Sequence, residues 1–155
     1  LRLRALRVLG GHANPVAHDA LLDGLLSDDS EFRITCLEGL RNQGYDDLQQ
    51  MVIGVVRHRS FRKKPLDEQK LFLRTLATFV GSDVEKALLA ELRGGGLFGS
   101  RARRAMAIEV LSDLSNTDHP SLLLKAVRGK RTSGLLREKL DRLFGPKLPS
   151  LPKER

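Results

Sequence analysis

Apolar residues recur along this chain in one repeated phase. LRLRALRVL at 1–9 and FRITCLEGL at 32–40 share an order of apolar, Arg, two variable positions, small, Leu, two variable positions, Leu, with Ala5 answered by Cys36. The frame returns as EQKLFLRTL at 68–76, RRAMAIEVL at 103–111 and, more faintly, LLREKLDRL at 135–143, at offsets of about 31, 36, 35 and 32 residues. Within each frame the apolar positions fall at i, i+4, i+5 and i+8, which is one face of an α-helix, and that face must be buried.

A second helical segment lies between successive frames: VAHDALLDGLL at 16–26, DLQQMVIGVV at 47–56, SDVEKALLAEL at 82–92 and HPSLLLKAV at 119–127. Each unit is therefore a pair of antiparallel helices. The punctuation fits this division. Gly10, Gly11, Gly44, Gly81 and Gly145 follow the leading helices, where a left-handed cap is expected, and Asn14-Pro15, Asp46, Ser82 and Asp118 stand as N-caps. A single pair cannot cover its own apolar face, so neighbours must stack. The fold class is all-α, an α-solenoid of about four and a half stacked pairs.

The leading-helix pattern of LRLRALRVL and FRITCLEGL, followed by a tight Gly-containing turn and a leucine-rich helix, resembles the HEAT-repeat family, and bacterial members of it most closely. The resemblance spans residues 1 to about 145. It implies a protein-interaction scaffold with no catalysis of its own. Phe72 and Lys139 depart from the pattern, standing where a small residue is usual. The first demands wider packing between helices and the second suits a terminal helix. Residues 146–155 form a separate tail or linker in which Pro146, Pro149 and Pro152 recur every third position, a spacing that favours polyproline II.

Composition narrows the class further. Aromatic residues are 5% of the 155, tryptophan is absent and Leu with Ala dominates the apolar set, a mix suited to helices. One cysteine, Cys36, leaves no intramolecular disulfide and no multi-cysteine metal site, which favours a reducing, cytoplasmic setting. No apolar run reaches the roughly 20 residues of a membrane span, and no signal peptide opens the chain. The start on Leu1, already inside helical sequence, reads as a piece of a longer protein.

The net charge of +8 favours acidic partners, and the repeat predicts where that charge gathers. Connections between repeats carry Arg57, Arg59, Arg62, Lys63 and Lys64, then Arg93, Arg101, Arg103 and Arg104, then Arg128, Lys130 and Arg131. These twelve are the candidate binding rim, out of 27 basic residues in all. The turns within repeats hold Asp46, Asp47, Asp83, Glu85 and Asp118 instead. Helix dipoles account for about half of this division, since cations are favoured at helix C-termini, but Arg101, Arg103 and Arg104 sit at a helix start, where they are not. The connection SDDSE at 27–31 is acidic, and capping explains its acids better than acid–base chemistry.

Motifs for chemistry do not assemble. RGGGLFGSRARR at 93–104 lacks the GK[ST] ending and preceding strand of a phosphate loop and reads as a long connection. Leu97 and Phe98 there, like Phe61 in the earlier connection, either tuck onto the core or stand out as apolar anchors within a basic surface. His12, His18, His58 and His119 stand in no metal-binding spacing and are expected at the surface, and Cys36 points inward as packing. DNA glycosylases built from HEAT-like repeats need aromatic residues beside a catalytic aspartate, and this chain has only Tyr45 besides its phenylalanines. The expectation is a non-catalytic interaction module without cofactor, metal or membrane. It binds an acidic protein or a domain of its own chain. The alternative is nucleic acid or another polyanion on the basic rim.

Overall fold

The computed structural model describes residues 2–12, 15–92, 105–110, 138 and 142. Among them every regular element is helical: α1 (Arg2–Leu9), α2 (Pro15–Gly24), α3 (Ser30–Asn42), α4 (Leu48–Arg57), a short 3-10 helix (Arg59–Lys63), α5 (Leu66–Leu76) and α6 (Ser82–Leu92), with residues 105–110 helical as well. The bounds of α2 to α6 differ from those read from the sequence by no more than two residues. None of these helices is long and apolar enough to cross a membrane. The chain divides into two compact units, Leu1–Thr75 and Leu76–Arg155.

In the first unit α1 packs on α2, and α3 packs on both. The inward frame is buried where the period requires it, at Cys36, Leu37 and Leu40 on α3 and at Phe72 and Leu73 on α5. On α1 only part of it is. Leu6 is buried, but Leu9 is half-exposed and Ala5, expected inward, is exposed. The second unit buries Val84, Ala87, Leu88 and Leu92 of α6, and Met106, Ala107, Ile108 and Val110.

Several caps differ from the expectation. Among the described glycines only Gly44 (φ 65°) and Gly81 (φ 138°) take left-handed backbone, so Gly10 and Gly11 are not caps of that kind. Gly10 is needed for space instead: a Cβ there would lie 2.9 Å from Gly39 Cα, and one on Gly39 would lie 3.0 Å from Leu21 Cδ2. The two glycines let α1 and α3 touch backbone to backbone. Asp47, not Asp46, precedes α4, and its side chain makes no cap bond. Gly81 precedes α6 and accepts from the Glu85 amide at 3.0 Å, which makes Ser82 the first helical residue rather than the cap. Asn14, Asp118 and Gly145 lie outside the described residues, as do the helices expected at 119–127 and most of 135–143.

Two caps follow the sequence closely. Asp29 Oδ1 accepts from the amides of Glu31 (2.9 Å) and Phe32 (3.4 Å), which places the acids of the first connection at the start of α3, where the dipole favours them. At its other end, the Gly44 amide donates to Arg41 O and the Tyr45 amide to Leu40 O, a Schellman closure that only a left-handed residue permits. A Cβ on Gly44 would meet nothing within 4 Å, so the backbone alone decides the cost of filling it. Gly44→Ala is expected to lower unfolding free energy by about 1 kcal/mol, read as a shifted midpoint in urea with unchanged slope. A neutral result would mean that α3 ends in some other way.

Candidate functional site

Five residues of the expected rim fall in the described part, and all five come from one short segment. Arg57 ends α4; His58 then turns the chain and accepts from the Ser60 amide through Nδ1 at 3.3 Å, which opens the 3-10 helix. Arg57, Arg59, Arg62 and Lys63 are exposed. Phe61, between them, is fully buried and meets the Phe72 ring edge-on at 6.1 Å between centroids. The connection that carries these cations is therefore a short helix pinned to the core by its one apolar side chain.

Lys64 is half-buried. Its Nζ lies 2.7 Å from Glu68 Oε1 and 5.9 Å from the Phe72 ring centroid. Glu68 is 0% exposed and also accepts from Arg33 Nε (2.8 Å), Arg33 Nη2 (2.6 Å) and Ser30 Oγ (2.9 Å). Arg33 Nη1 donates in turn to Ser27 O at 2.5 Å. Burial pushes the Glu68 carboxyl up, but the donors from Arg33, Lys64 and Ser30 outweigh it and hold the group at about 2. The same pair keeps the Arg33 guanidinium protonated more firmly than usual, chiefly through its hydrogen bond to Glu68. The cluster ties α3 to the start of α5 and takes Lys64 out of the charge offered to a ligand.

Beside this segment lies an open pocket of about 550 Å³. Leu22, Leu25 and Leu26 come to it from α2 and the turn after it, Met51, Gly54 and Val55 from α4, and Phe72 from α5. Asp23, His58, Ser60 and Lys64 supply its polar edge. A volume of this size lies within the roughly 300–1,000 Å³ typical of ligand pockets. Leu26 is 84% exposed. The pocket was not read from the sequence. Its one signal there is Gly54, a helix-weakening residue inside MVIGVVR, with no turn or cap to account for it.

The remaining candidates sort simply. Cys36 is fully buried against Gly24, where an added Cβ would strike its Sγ, and burial pushes its thiol up to about 11. His12 and His58 are exposed; His18 is half-buried and meets Tyr45 edge-on at 5.2 Å. Arg93, Arg101, Arg103, Arg104, Arg128, Lys130, Arg131, Leu97, Phe98, His119 and the Pro-rich tail lie outside the described residues. Comparison with protein-family models, curated proteins and solved structures finds no match to this chain.

Proposed function

We propose that this chain is a HEAT-like helical-repeat module that serves as a non-catalytic protein-interaction scaffold, taking an acidic partner or a domain of its own chain. The observation that carries this reading is the open apolar pocket lined by α2 and α4, whose edge residues His58, Ser60 and Lys64 alternate in sequence with exposed Arg59 and Lys63. Support for the repeat itself comes from the return of one inward register in α3, α5 and residues 105–110, with Leu37, Leu73 and Ile108 all buried at its sixth position. A cytoplasmic setting accords with a lone cysteine buried in the core.

The polyanion reading is favoured by one fact, the four exposed cations packed between 57 and 63. Salt separates the two. Fluorescence anisotropy with labelled acidic peptides is expected to show binding that weakens modestly as salt rises. A labelled duplex is expected to show none that survives physiological salt. Duplex binding that falls with a log–log slope of about −0.9 per phosphate neutralised, with no peptide binding, would replace the scaffold reading by the polyanion one.

A further inference from the structure

We infer that the pocket between α2, α4 and the 3-10 helix is the docking site for an amphipathic acidic segment of a partner protein, whose apolar side chains enter the pocket while its carboxylates pair with Arg59 and Lys63. This deepens the interaction-module reading and rests on it.

Gly54 is the first argument. It sits in the middle of α4, where glycine weakens a helix, yet among the described residues no packing or backbone conformation requires it. Its backbone is not left-handed, and a Cβ built there would meet no atom within 4 Å. Gly10, Gly24 and Gly39 each face a neighbour that a side chain would strike, so their absence of a Cβ is explained by packing. At Gly54 the missing side chain leaves only pocket. Among the described residues nothing fills that space, and room for an occupant is the use the position serves.

Charge selects the occupant. The segment from Arg57 to Lys64 holds five cations and no acid, and three of its residues, His58, Ser60 and Lys64, line the pocket. Lys64 is neutralised by Glu68, but Arg59 and Lys63, the sequence neighbours of lining residues His58, Ser60 and Lys64, are exposed. Asp23 on the α2 wall is the one acid among the described lining residues. An apolar ligand with carboxylates toward the 3-10 helix and none against Asp23 satisfies this arrangement, whereas one with cations toward the 3-10 helix meets repulsion there. Such a segment, laying an apolar stripe into a groove, is a common mode of peptide recognition.

The test uses the full chain and a fluorescein-labelled helical peptide of about 15 residues, with leucines at i, i+3, i+4 and i+7 and glutamates between them. Gly54→Leu fills the pocket from within and substitutes a better helix former, so it is expected to weaken binding about tenfold or more while leaving the melting temperature unchanged or raised. Leu26→Asp, at an exposed rim position, should weaken it as well without touching the core. Arg59→Glu with Lys63→Glu should do the same, and a peptide carrying lysines for the glutamates should not bind. Equal affinity for Gly54→Leu and the parent chain, with the charge variants still impaired, overturns the pocket proposal and leaves the interaction module standing. Failure of every acidic peptide to bind the parent chain overturns both. Saturable uptake of a free fatty acid that Gly54→Leu abolishes, with peptide binding unaffected by that fatty acid, would make the pocket a small-ligand site and overturn the proposal too.

Discussion

Glu68→Gln is expected to lower the unfolding free energy by about 3–5 kcal/mol, a large share of the roughly 5–15 kcal/mol that a domain of ordinary stability has. Glutamine keeps the shape of the side chain but cannot accept from both ends of a guanidinium and an ammonium at once. Arg33, 12% exposed, and Lys64, 20% exposed, would then stand as partly buried cations without their counter-charge. Urea denaturation of the parent and variant measures the loss. The paired change Glu68→Leu with Arg33→Met separates the two contributions to it. If the cost lies in stranding cations rather than in losing a favourable bond, the pair should recover the part due to Arg33, because replacing a buried ion pair with apolar groups is often neutral or better, and the remainder is the cost of leaving Lys64 unpaired. An unchanged midpoint in Glu68→Gln would show that the cluster contributes nothing net.

The same carboxylate gives the protein a defined acid response. Glu68 titrates near 2 in the folded chain against 4.5 ordinarily, so folding is favoured wherever the carboxylate is ionised in both states. The difference corresponds to about 3 kcal/mol. With the folded value depressed, this stability is fully present above the unfolded value and is lost as pH falls toward the folded one. The loss therefore runs from about pH 5 down to about pH 2. Glu68→Gln should flatten that part of the stability profile.

How much of this was legible in the sequence depends on the range over which each feature is determined. Helices α1 to α6 were readable because the apolar period, Gly44 and the acids before α3 are local signals, each decided within a few residues. Glu68 was readable only as an acid near a helix start. Its burial follows from Arg33 and Ser30, 35 and 38 residues away, and nothing in EQKLFLRTL announces that pairing. Gly10 and Gly39 were visible as glycines, but only the approach of α1 to α3 shows that space rather than backbone conformation selects Gly10. The pocket is the extreme case. Leu22, Met51 and Val55 carry the same periodicity as core residues, and whether a neighbour covers them depends on how helices cross, which a one-dimensional pattern does not encode.

Phe61 connects the core to the candidate interface, and Phe61→Ala is expected to act on both. The ring is fully buried and packed edge-on against Phe72, so truncation should cost about 3–5 kcal/mol through lost transfer and the cavity left behind. Its consequence should also be local. Arg59, Arg62 and Lys63 stand on a helix of five residues, Arg59–Lys63, too short to persist by its own propensity. Phe61 is the only apolar side chain in that helix. Without it the segment should open well below the global transition, and trypsin should cut after those residues faster than the loss of global stability predicts. Phe61→Leu, which retains an apolar anchor at lower volume, should lose less stability and keep the segment protected. Equal tryptic rates for the alanine variant and the parent, under conditions where both are folded, would show that His58 and the ends of the short helix hold the cations in place unaided. In that event the charge beside the pocket would be independent of the core, and substitutions at Phe72 would leave peptide affinity unaltered except through the pocket wall itself.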